Sequence, residues 1–82
     1  MEIHSGGEIK VAVVFSPGGA IRPVWFEWRN RRHQVEETTY RWQARRGAAL
    51  LLHFAVREGR DLYELVYNTA DQIWNLRAIE VG

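Results

Sequence analysis

The stretch Pro23-Val24-Trp25-Phe26-Glu27-Trp28, followed by Arg29-Asn30-Arg31-Arg32 and then His33-Gln34-Val35, decides the fold. Successive side chains on a strand point to opposite faces. Val24, Phe26 and Trp28 therefore form an apolar set facing one way, and Trp25, Glu27 and Arg29 face the other. Pro23 stands at the strand's start, where its missing N–H does least harm. Arg29 to Arg32 then reads as a tight hairpin turn, with Asn30 tolerating a left-handed conformation. The return strand begins at His33 and runs through Val35 towards Trp42. Its parity drifts, because Val35 fits one face while Tyr40 and Trp42 fit the other. A bulge or bend at Glu36-Glu37 resolves the drift, and bent strands are how small barrels turn corners.

The same signals continue outward from this hairpin. Upstream, Glu8 to Phe15 is dense in β-branched residues and is stopped by Ser16-Pro17-Gly18-Gly19, a strand and a turn. Residues 1–7, polar and ending in Gly6-Gly7, read as a flexible N-terminus, leaving 8–82 as a single β domain. Downstream, Leu50, Leu52, Phe54 and Val56 share one face of an apolar strand, and Leu51, His53 and Ala55 share the other. Two apolar faces point to a central strand. Arg57 to Asp61 is a hairpin connection around Gly59, and Leu62–Tyr67 and Ile73–Ile79 are two further strands. The sum is an all-β fold, an antiparallel five- or six-stranded meander curled into a small SH3-like or open barrel. The last third admits an alternative, α+β with a C-terminal helix. Asp61-Leu62-Tyr63-Glu64 has the form of a capping box, and Leu62, Leu65, Val66, Ile73 and Leu76 roughly follow helical spacing.

Pro23 to Val35, then Tyr40-Arg41-Trp42, His53-Phe54-Ala55-Val56 and Leu62-Tyr63-Glu64-Leu65, resemble a group of short bacterial proteins and domains of unknown function. Their shared form is an F-x-W-R-G-R-x-Y-x-V hairpin, then a Tyr-Glu-Leu strand and a final strand bearing Trp. The likeness runs from Ile21 to Ile79. It implies a compact β fold and carries no known activity or site residue. Asn30 stands where that pattern has Gly, and His33 where it has Tyr.

Composition narrows the function classes. Eighty-two residues make one domain, and ten aromatic rings give it a core that a disordered chain would lack. No cysteine is present, which removes disulfides, thiolate metal sites and thiol chemistry. No apolar run is long enough for a membrane-spanning helix, and residues 1–10 lack the pattern of a signal peptide. The expectation is a cytoplasmic protein with no membrane association.

His4, His33 and His53 show no metal-ligand spacing; a cross-strand contact of His53 with Glu64 would be one pair, not a site. Glu36 and Glu37, as sequence neighbours, face opposite ways on a regular strand. The hydroxyls of Ser5, Ser16, Thr38, Thr39 and Thr69 stand in no nucleophile context, and the Ser16–Gly19 turn lacks the lysine and helix of a phosphate loop. No cofactor and no enzymatic activity are expected.

Charge supplies the positive signal. Residues 21–46 hold seven arginines against three glutamates, while the rest holds four basic against seven acidic residues. The asymmetry points to an acidic partner. Trp25 and Arg29 on an outer face, Arg31 and Arg32 at the hairpin tip, and Arg41 on the return strand form the candidate binding surface. An aromatic ring among arginines has the composition of a protein interface hot spot, and an open sheet edge at Ile9, Val11, Val13 and Phe15 could accept a partner strand. The expected function is thus a non-enzymatic module for protein or peptide binding, or for self-association. The alternative is nucleic-acid binding, with rings for base stacking and arginines for phosphates. A sequence pI near 8.2 is less basic than that alternative favours.

Overall fold

The computed structural model describes residues 2–82, with side chains from residue 6 onward. Seven strands appear in chain order: β1 (Glu2–Phe15), β2 (Ile21–Trp28), β3 (Arg31–Gln34), β4 (Glu37–Arg46), β5 (Ala49–Glu58), β6 (Asp61–Asn68) and β7 (Ile73–Glu80). They form one antiparallel sheet in the order β3-β2-β1-β7-β6-β5-β4, curled into an open half-barrel. No helix occurs among the described residues, so the last third is strand, as the β-branched and aromatic content requires. The residues with helix-like spacing lie within β6 and β7, and the only helical feature there is a single turn in the connection between them. There the Gln72 N–H donates to the Asn68 carbonyl at 2.8 Å, and the Asn68 side chain accepts from the amides of Ala70 and Asp71. One helical turn is made and not continued.

The expected return strand from His33 to Trp42 is two strands, which brings the count to seven. The Val35 amide still bonds Val24 of β2, but the next amide, Glu36, bonds the carbonyl of Arg57 on β5. Across one peptide the chain leaves one margin of the sheet and joins the other. This end of the half-barrel is tied shut. The Glu58 carboxylate takes His33 Nδ1 at 2.8 Å and the Gln34 amide at 3.0 Å, while Glu36 takes the Gly59 amide at 2.9 Å and Arg57 at 3.0 Å.

Cross-strand register explains the core. Phe54, Leu65 and Leu76 lie opposite one another on β5, β6 and β7, as do Val56, Tyr63 and Ile79. With Phe26 these residues are the buried centre, flanked by Ile9, Val11, Ile21, Trp28, Val35, Leu52 and Trp74. In β2 the extra residue of a bulge shifts the parity, since Ala12 faces Trp25 and Val13 faces Pro23. Pro23, fully buried, takes the place expected of the half-buried Val24.

β1 starts six residues earlier than the sequence predicts. Glu2, Ile3 and His4 pair with Glu80, Ile79 and Ala78, and the Gly6-Gly7 step is a register shift with Gly7 at φ +85° rather than a strand end. The side chains of residues 1–5, part of the expected flexible N-terminus, lie outside the described ones. β1 lies inside the strand order, but its pairing is split: its register with β7 ends at Ile9 and its register with β2 runs from Lys10 to Phe15, so of the edge expected at Ile9, Val11, Val13 and Phe15 the last three pair with β2 alone. The margins are β3 and β4.

Candidate functional site

The five residues expected to form one surface occupy three places. Trp25 and Arg32 meet on the outer face of the β1–β2–β3 ribbon, the guanidinium 3.8 Å from the ring centre. Glu27 sits in the same row, between Lys10 at 3.8 Å and Arg32 at 3.9 Å. One side of the indole is thus already covered by a cation whose charge is partly matched. Arg31 lies opposite Trp28, on the parity that faces the core, and Arg29 in the adjoining turn stacks on Trp28 at 4.4 Å. Both residues of that turn, Arg29 (φ +52°) and Asn30 (φ +60°), are left-handed, the geometry of a type I′ hairpin. Arg41 is on β4, at the other margin, 5.5 Å from the Phe54 ring on the concave side.

The margin that carries Arg41 has features that the individual residues did not announce. Among the described residues β4 pairs only with β5. The Leu50 carbonyl bonds Thr69, on the β6 side, so Leu50, Leu52 and Phe54 direct their backbone groups towards β6. Their β4 partners are Arg45, Gln43 and Arg41, which therefore turn their own N–H and C=O groups to the open margin. The same three side chains project on the concave side. Across from them stands the end of β2, where Pro23 has no N–H to offer. Between the two lies a cleft of about 370 Å³, walled by Gly19, Ala20 and Ile21 on one side and by Arg41, Gln43, Leu52 and Phe54 on the other. Phe15, 73% exposed, is paired with Ile21 at its lip. Polar residues at every second position of 41–45 were the available signal for an unpaired margin.

Among the described residues two histidines are buried, each with Nδ1 on a glutamate. His33 bonds Glu58 and stacks flat on Phe26, their ring centres 4.9 Å apart. The Tyr63 hydroxyl lies 3.5 Å from the same nitrogen. Burial first, then the Asp61 and Glu58 carboxylates, push the Tyr63 phenol above its ordinary value of 10.0, against a lowering pull from Arg31. His53, on the convex face, bonds Glu64 at 3.1 Å and stacks under Trp42 with ring centres 4.9 Å apart; Arg77 bonds the same carboxylate at 3.0 Å. The His53–Glu64 contact foreseen across the strands is present. Among the described residues no three His, Cys, Asp or Glu side chains are grouped to hold a metal ion, and no helix is long and apolar enough to cross a membrane. Compared with known proteins, the chain matches no family model, no curated protein and no solved structure.

Proposed function

We propose that this domain binds an extended, acidic segment of a partner protein by adding it as a further strand along β4. The observation that carries the reading is the ten-residue margin of β4, with the backbone groups of Arg41, Gln43 and Arg45 turned outward. Strand addition draws affinity from main-chain hydrogen bonds and specificity from alternate side chains. An antiparallel segment places every second side chain on the concave side, opposite Arg41, Gln43 and Arg45. Carboxylates four residues apart span about 13 Å and would face the two arginines. Apolar side chains on the segment would meet Ile21 and Phe15 across the cleft. We place this encounter in the cytoplasm, which suits a chain without cysteine.

The test is an amide and indole NMR titration with an acidic ten-residue peptide, a charge-reversed peptide and a single-stranded oligonucleotide, each at low and physiological salt. Shifts confined to residues 39–46 and 19–21 with the acidic peptide alone support strand addition. Gln43→Pro removes one outward N–H and no β4–β5 bond, so it should weaken binding at least about tenfold and leave the fold intact. Shifts centred on Trp25 and Arg32 with the oligonucleotide, fading as salt rises, would replace this reading with nucleic-acid binding.

A further inference from the structure

The convex face carries a second recess that the strand-addition reading does not use. It measures about 420 Å³ and runs across β4 to β7, lined by Arg46, His53, Val66, Asn68, Asn75 and Arg77 among others. Its polar lining is two guanidiniums, which only donate, with two carboxamides and an imidazole, which donate and accept. No carboxylate lines it. Glu64 lies behind the wall, where it holds His53 Nδ1 and Arg77 Nε and orients both. The His53 side chain is only 9% exposed, and its second ring nitrogen, Nε2, is buried with no hydrogen-bond partner. A buried polar atom without a partner costs stability, and a small turn of the His53 ring that brought Nε2 to an anion in the recess would relieve that cost.

We propose that this recess binds a phosphate monoester. Planar guanidiniums are suited to bidentate contact with phosphate oxygens. Arg77 pairs with Glu64 through Nε, and its two terminal nitrogens have no ion pair among the described residues. Arg46 has no ion pair among the described residues and is exposed at the mouth. As an imidazolium, His53 would donate from Nδ1 to Glu64 and from Nε2 to the anion. A tetrahedral oxyanion offers enough lone pairs for these donors. The volume falls within the range of small-molecule sites and leaves room for the rest of the ester. Glu8, opposite Asn75 in the register, is the nearest opposing charge on β1, and Asp71 stands behind Asn68.

The experiment follows amide and Trp42 indole signals while adding inorganic phosphate, glycerol phosphate, or vesicles containing phosphatidic acid, against sodium chloride at matched ionic strength. Saturable shifts at residues 51, 53, 66, 68 and 75 with both soluble phosphates, absent with chloride, are the expected result. Arg46→Gln, which breaks no ion pair or side-chain hydrogen bond among the described residues, should weaken that binding about tenfold. Glu8→Gln should tighten it roughly twofold by removing a nearby negative charge. His53→Phe, which keeps a ring under Trp42, should abolish saturation. Shifts that rise linearly and spread over every arginine-bearing strand would overturn the proposal. So would equal affinity in wild type and Arg46→Gln, or binding to vesicles with no response to either soluble probe.

Discussion

Replacing Glu58 with alanine tests how the closed end of the half-barrel is held. Its carboxylate accepts from His33 Nδ1 at 2.8 Å and from the Gln34 amide at 3.0 Å, tying β3 to the end of β5. The first bond is shielded, with the His33 side chain 7% exposed and that of Glu58 29%. A hydrogen bond to a charged group contributes about 1.5–3 kcal/mol, and the exposed second bond roughly 0.5–1 kcal/mol. Glu58→Ala should therefore cost about 2–4 kcal/mol. Unfolding entropy near 2.1 cal/mol/K per residue makes each kcal/mol worth about 4–8 °C in a domain of this size. The midpoint should fall by roughly 8–30 °C in a thermal melt followed by near-ultraviolet circular dichroism. Glu58→Gln keeps an acceptor but loses the charge, and should cost about 1 kcal/mol. Adding His33→Phe to Glu58→Ala removes the orphaned imidazole while preserving the stack on Phe26, and should recover about 1 kcal/mol. Equal melting of Glu58→Ala and Glu58→Gln would refute the reasoning, because it would mean that neither bond holds the end closed.

Two further outcomes follow from local chemistry. Because the folded-state Tyr63 phenol titrates above the ordinary 10.0, its stabilisation is complete below pH 10 and is lost as pH rises through the raised folded-state value. Urea midpoints measured from pH 9 to 11 should thus decline in wild type and decline less in Tyr63→Phe; equal slopes would exclude Tyr63 as the source. Gln72 occupies φ +58° with neither the freedom of glycine nor the local bonding of asparagine. Gln72→Gly should stabilise by roughly 0.5–1 kcal/mol, visible as a higher urea midpoint at an unchanged slope, and a lower midpoint would show that the side chain matters more than its backbone strain.

Local order in this chain was legible, and long-range closure was not. The alternation of Phe26 with Trp28 and of Leu52, Phe54 and Val56 gave the core faces, because burial on a sheet has period two. Asn30 and Gly59, at φ +60° and +59°, sit in the turns their chemistry predicts. What the residues could not show is that the parity drift before Tyr40 is a change of margins. That change depends on Glu58, placed twenty-two residues beyond Glu36, and on the pairing of β1 with β7 across the length of the chain. The same ignorance misplaced the site. Trp25 and Arg32 do share a face, but Arg31 faces the core side and Arg29 folds back on Trp28, because the two-residue turn fixes β3 at Arg31 with inward parity. Arg41 could be assigned a role only once β4 was seen to be a margin.

The two margins of the sheet are guarded differently, and the difference bears on what the domain accepts. Exposed strand edges are blunted by shortness, proline, bulges or charge. β3 is four residues long, and the exposed end of β2 has a bulge and Pro23, so that side offers little backbone to a partner. β4 is ten residues long and has no proline; its bulge between Thr38 and Tyr40 leaves Arg41 to Arg46 in regular register. Beyond that bulge its guard is charge. Arg41 and Arg45 stand beside the outward backbone groups of Gln43, and a second copy of β4 would bring like charges together. A segment bearing carboxylates at the matching positions meets no such penalty. The charge that keeps the margin from pairing indiscriminately is then also the feature that selects its partner.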